Sequence, residues 1–139
     1  MENKNYTNLK FKHSEITGKI LGCAMKVHSA LGPGFQEAIY QRCLEIEFRE
    51  SNIPYEREKE IPVYYHDIKV GTRRVDFLVD GKVMVELKAL STIEDTHIAQ
   101  TINYLEAYKL EVGLLLNFGS RSLTYKRLIK DKYYKQRNP

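Results

Sequence analysis

Apolar residues first recur at helical spacing: Ile16, Ile20, Cys23, Ala24, Val27 and Leu31 fall on one stripe. This predicts a helix over Ser14 to Leu31, with Ser14 as its N-cap and Gly32-Pro33-Gly34 as its break. A second stripe, Ile39, Cys43, Leu44 and Phe48, predicts a helix over about Gln36 to Ser51. After Pro54 the period changes. Glu56 to Glu60 is charged, Ile61 to Tyr65 reads as strand, and His66-Asp67 as a turn. Ile68 to Val79 is a second strand with a possible break at Gly71, and Val83 to Leu87 alternates as a third. A third helix is expected over Ile93 to Tyr108. Val112 to Phe118, with three successive leucines, reads as a strand buried on both faces. Leu123 to Ile129 is a last strand or a helix start. The order is that of an α/β sandwich on a mixed sheet, with an antiparallel hairpin and one crossover helix.

The second hairpin has a register that its core dictates. Val75, Phe77 and Val79 are apolar in alternation, as are Val83, Val85 and Leu87. The two faces coincide only if Phe77 opposes Val85, because a one-residue slip turns every side chain over. The loop is then Asp80-Gly81-Lys82 rather than a two-residue Asp-Gly turn. The same register sets Asp76 against Glu86, with Lys88 on their face, and brings two carboxylates within roughly 5 Å.

Composition bounds the rest. At 139 residues the chain fits one domain, with a polar segment over 1–13, a body over 14–130 and a basic tail over 131–139. No apolar run approaches the ~18 residues of a membrane span, and no apolar leader precedes Lys12. Cys23 and Cys43 sit among apolar residues and read as core thiols of a reducing, cytoplasmic compartment. Cysteines and histidines show no zinc-ligand spacing. The net charge is +4, with Lys and Arg recurring from Arg121 onward against one acid, Asp131. That tail, with Tyr125, Tyr133 and Tyr134, is a solubilising end or a phosphate-contacting surface.

Acid-x-lysine spacing also occurs at Glu2, Asp67 and Asp80, but only Glu86 and Lys88 stand on a strand whose alternate residues are all apolar. Charge on a half-buried strand is costly unless paired or metal-bound. One reading is a salt-bridged Asp76–Lys88–Glu86 cluster. The other is a site for a hard divalent ion, which takes oxygen ligands and keeps several waters, with Lys88 activating water or stabilising a reacting phosphate. On the third helix His97, Gln100, Tyr104 and Tyr108 share one stripe, while Ile98, Thr101, Leu105 and Tyr108 offer an alternative core face. Glu37 suits the first turn of its helix through the dipole alone. His13, His28 and His66 look incidental.

Asp76 followed by Glu86-Leu87-Lys88 resembles the PD-(D/E)XK nuclease motif, with Val75 where the pattern has proline. Gln100 to Tyr104 is similar to the QxxxY motif of RecB-like members, and Gly34 to Tyr40 to the GxxExxY signature of a small family there. The resemblance spans about Ile16 to Leu128. It implies a restriction-endonuclease-like αβββαβ core with a mixed sheet flanked by helices, and a phosphodiesterase dependent on Mg²⁺ or Mn²⁺. Asp76, Glu86 and the Leu87 carbonyl would be metal ligands, Glu37 would hold metal or its water, and Lys88 would be the catalytic lysine. Gln100 and Tyr104 would position the site or the scissile phosphate. The implied partner is nucleic acid, DNA before RNA. A non-catalytic nucleic-acid-binding module, or a subunit of a repair or mobile-element complex, stays open, as does a homodimer or a partner protein.

Overall fold

In the computed structural model, which describes residues 12–130, the first helix, α1, runs Ser14–Leu31. His13, in the left-handed region, occupies the N-cap in place of Ser14, which is already helical. The second, α2, runs Glu37–Glu50. Its buried stripe is Tyr40, Gln41, Leu44 and Phe48, whereas Ile39 is exposed and Cys43 half-buried. The stripe is turned by the aromatic pairing of Tyr40 with Phe118 and Phe48 with Phe77.

Strands β1 (Tyr55–Tyr65), β2 (Ile68–Val79) and β3 (Val83–Lys88) form an antiparallel meander. The charged Glu56–Glu60 stretch is part of β1, because it is half of a long two-stranded ribbon whose outer face is wet. His66 and Asp67 both take positive φ, the geometry of a tight hairpin turn. β2 continues through Gly71, but its register with β1 shifts there: Val63 faces Gly71 and Tyr64 faces Lys69, which leaves Val70 as the extra residue of a bulge in β2. Helix α3 (Asp95–Tyr108) crosses over to β4 (Val112–Asn117), parallel to β3, and β5 (Thr124–Ile129) closes the edge antiparallel. The sheet order is β1-β2-β3-β4-β5. This is the mixed, helix-flanked α/β fold that the pattern and the resemblance led us to expect.

The β2–β3 register pairs Phe77 with Val85, Leu78 with Met84 and Val79 with Val83, around the Asp80-Gly81-Lys82 loop. Phe77, Val79, Val83, Val85 and Leu87 join α1, α2 and β4 in one core. Val75 does not. It packs with Ile61, Met84 and Leu105 in a second cluster under α3. The alternation therefore breaks at Asp76, beside Glu58, whose φ of 54° interrupts the opposing strand. Among the described residues no helix is long and apolar enough to cross a membrane. The polar segment ahead of Lys12 and the basic tail with Tyr133 and Tyr134 lie outside the described residues.

Candidate active site

The ladder between β2 and β3 stops at Phe77 and Val85, and the carboxylates occupy the fork beyond it. There the side chains replace the missing backbone pairs. The Asp76 N–H donates to Glu86 Oε1 at 2.8 Å, and the Leu87 N–H donates to Asp76 Oδ2 at 2.8 Å. Two crossed bonds thus hold two acids whose charges repel. Helix α2 reaches the same fork, where Gln41 Nε2 donates to Asp76 Oδ1 at 2.8 Å.

Glu86 is only 8% exposed, and its pKa is pushed up to about 8. Burial is the main cause, the Asp76 charge adds to it, and the nearby Glu37 charge contributes further. The Asp76 N–H and the Lys88 ammonium oppose the shift. Asp76 is raised too, again chiefly by burial, against the Leu87 N–H, the Gln41 amide and Lys88. Lys88 is half-buried and makes no ion pair with either acid. The salt-bridged cluster that would have neutralised the pair structurally is not formed.

The donor set suits a hard cation. It is all oxygen, both carboxylates keep unused lone pairs, and Glu86 Oε2 accepts no hydrogen bond among the described residues. Burial keeps a proton on Glu86 up to about pH 8, and a divalent ion between the two acids would take the place of that proton. No third acidic, His or Cys side chain completes a ligand cluster among the described residues, so an ion held here would draw on backbone carbonyl and water for the rest. Glu37 is exposed in the first turn of α2, within electrostatic reach of Glu86.

The loops are built to hold these positions. Tyr40 is fully buried, donates its hydroxyl to the Gly32 carbonyl and accepts from the Phe35 N–H at 3.2 Å. It ties down the turn in which Gly34 takes a φ of 112°, a glycine conformation. Glu37 follows directly from that turn. On the far side Asn117, in register with Lys88, is completely buried. Its Oδ1 accepts from the Leu90 and Gly119 N–H groups, and its Nδ2 donates to the Leu90 carbonyl. The Phe118 N–H donates to the Lys88 carbonyl at 2.8 Å. A Cβ on Gly119 would stand 2.3 Å from the Leu90 nitrogen, so only glycine fits.

The expected stripe on α3 divides. His97 serves the capping box with Glu94, whose N–H it accepts at 3.0 Å. Thr101 and Leu105 are the buried residues of α3, with Tyr104 and Tyr108 packed against the second core. Arg73 Nε donates to the Tyr104 hydroxyl at 2.9 Å, with its guanidinium 5.5 Å from the ring centre. Gln100 is half-buried and makes no hydrogen bond to either carboxylate. The structure thus gathers Asp76, Glu86, Leu87 and Lys88, with Glu37 nearby. It leaves Gln100 and Tyr104 on the helix across the sheet, Tyr104 joined to β2 through Arg73.

Sequence reasoning missed Gln41 and Asn117. Gln41 could have been found one turn after Glu37, on the same helical face. Asn117 carried a signal too: a polar residue ending an otherwise apolar buried strand. His28 has a packing role, since it is buried and its Nε2 meets the Ser120 carbonyl at 3.0 Å. Cys23 is buried, Cys43 half-buried, and neither forms a disulfide.

The sequence model of the PD-(D/E)XK nuclease superfamily matches residues 14–128. No curated protein matches the chain. Among solved structures, that of SSO0001 aligns with a TM-score of 0.53 at 19% identity, covering 97% of this chain and 63% of that one. An alkaline exonuclease from Laribacter hongkongensis gives 0.49 at 12% identity, covering 67% and 55%. The chain spans less than two thirds of the length of either. The likeness to SSO0001 is one of fold.

Proposed function

This chain belongs to the PD-(D/E)XK nuclease superfamily, and from that premise we propose that it hydrolyses phosphodiester bonds in DNA with Mg²⁺ or Mn²⁺. The observation that carries the proposal is the Asp76–Glu86 pair: a half-buried and a buried acid crossed by hydrogen bonds, both raised in pKa by burial, beside a lysine that forms no ion pair among the described residues. Asp76, Glu86 and the Leu87 carbonyl are the ligands in this reading, with Glu37 holding a water or a further coordination position. A divalent ion there would neutralise charge on the phosphate and make water a better nucleophile.

The chain's own groups do the rest. Asp76 is held as an acceptor by two donors. The Lys88 ammonium, tied to no carboxylate among the described residues, activates the water or stabilises the phosphate as negative charge grows. Tyr104, held by Arg73, and Gln100 stand on the helix across the sheet, and in this reading they contact the nucleic acid beyond the scissile phosphate. The GxxExxY and QxxxY patterns support placing the chain with RecB-like members of the superfamily. A small body with little surface for sequence recognition favours a homodimer or a partner protein.

The deciding experiment is cleavage of a panel, linear duplex, single strand, branched DNA and RNA, with Mg²⁺ or Mn²⁺, comparing wild type with Glu86→Ala. The expected result is metal-dependent cleavage lost in the variant. Equal cleavage by both proteins would refute the site. Salt-sensitive binding without cleavage by either would favour the non-catalytic module.

A further inference from the structure

Gln41 is 7% exposed, a poor place for an amide unless both its ends are used. Both are. Its Nε2 donates to Asp76 Oδ1 at 2.8 Å, and its Oε1 accepts from Arg57 Nη1 at 3.1 Å. Arg57 is fixed from behind, with Nε 3.5 Å from Glu45 Oε2 and Nη1 3.6 Å from Glu58 Oε1. Glu45 also accepts the Tyr55 hydroxyl at 2.9 Å.

The chain of contacts has a direction. A guanidinium has donors and no acceptor. The end of the Gln41 amide that meets Arg57 must therefore be its oxygen, which leaves the NH₂ toward Asp76. With the Leu87 N–H on Oδ2, Asp76 receives one donor on each oxygen. Its carboxylate plane cannot rotate without breaking a bond, and one lone pair on each oxygen stays available. A protonated Asp76 could donate to a turned-over amide oxygen; Arg57, which also needs that oxygen, forbids the turn. Gln41 also lies one helical turn beyond Glu37, so α2 supplies both residues from one face.

We propose that Gln41, oriented by Arg57, is a positioning residue that sets the Asp76 carboxylate for divalent-ion binding. The inference rests on the metal-site reading above and adds to it the means by which Asp76 is aimed. Partners of this kind, removed, cost 10- to 100-fold in metal affinity or activity at characterised sites.

The test is Mn²⁺ binding by calorimetry without substrate, alongside the metal-free melting temperature. Wild type, Gln41→Met, Arg57→Met and the double variant are compared. Gln41→Met should raise the Kd for Mn²⁺ by about 10- to 100-fold while still unfolding cooperatively. Arg57→Met should weaken binding less, since the amide still donates to Asp76 but loses the partner that holds its oxygen. In the double variant the loss should equal that of Gln41→Met alone, because Arg57 acts only through the amide. A structural role would lower the melting temperature and leave the Kd of folded protein unchanged. A Kd within twofold of wild type in Gln41→Met, or additive losses, would overturn the inference. If Gln41→Met does not fold, an unchanged Kd in Arg57→Met does the same. Failure of wild type to bind Mn²⁺ overturns the metal-site reading itself, a result separate from any variant's behaviour.

Discussion

Asp76 and Glu86 are bonded to each other's strands and not to each other: each carboxylate accepts a backbone N–H from the opposite side of the fork. This lets a buried Glu86 and a half-buried Asp76 sit side by side with no ion pair to a cation among the described residues. A bound divalent charge would replace the proton that Glu86 otherwise keeps up to about pH 8.

Among the described residues Lys88 makes no ion pair, so Lys88→Ala should change folding stability by about 1 kcal/mol or less. Loss of a charge aimed at a developing oxyanion costs about 10²- to 10³-fold in rate. Cleavage should fall by at least that much at unchanged secondary structure, measured by single-turnover assay and thermal melts. Full activity in the variant would remove Lys88 from the site.

The stability of metal-free protein should fall as pH rises from 4.5 toward 8. The unfolded chain releases the Glu86 proton near the ordinary value of 4.5, while the folded protein keeps it to about 8. Between those values the native state binds more protons, so unfolding becomes easier with pH, by up to about 1.4 kcal/mol per pH unit for this one group. The raised Asp76 adds the same sign from just above its own ordinary value. Glu86→Gln should flatten the slope, and Mn²⁺ should stabilise wild type more at pH 8 than at pH 6. Melting curves across pH, with and without Mn²⁺, measure both.

Asn117→Ala would leave the Leu90 N–H and carbonyl and the Gly119 N–H without their buried partner, at a cost of about 3 kcal/mol. Gly119→Ala forces a Cβ against backbone and should also destabilise. Both should slow cleavage in the protein that remains folded, because they loosen the segment that follows Lys88. Denaturant titration with activity per folded molecule checks this. Unaltered melting in both variants would contradict it.

Tyr104→Phe keeps the ring under Arg73 but removes the acceptor for its Nε, a change of about 1 kcal/mol. If the pair contacts the nucleic acid beyond the scissile phosphate, Tyr104→Phe and Arg73→Ala should each weaken substrate binding. Their effects should be non-additive in a double-mutant cycle. Additive effects on KM would show two independent contacts.

Much of this was legible in the residue pattern. The helices α1 and α2, the crossover through α3 and the buried β4 follow from the period of apolar positions, which burial imposes directly. The Phe77–Val85 register was legible for the same reason: one slip would have turned the core outward. It overruled the Asp-Gly turn signal because several buried side chains outweigh one local preference.

Composition and spacing alone determined that acids and a lysine meet where the third strand leaves the hairpin. Tertiary structure decided how. The turnover of Val75 to the second core depends on Glu58, a residue on a different strand. The holding of Asp76 depends on Gln41 and Arg57, which lie 35 and 19 positions earlier in the chain. The Asn117 clasp binds a loop 27 positions away. Hydrophobic periodicity is a local signal, written within a few turns or pleats. Hydrogen bonds between distant segments have no period, so only the folded chain reveals which polar groups meet.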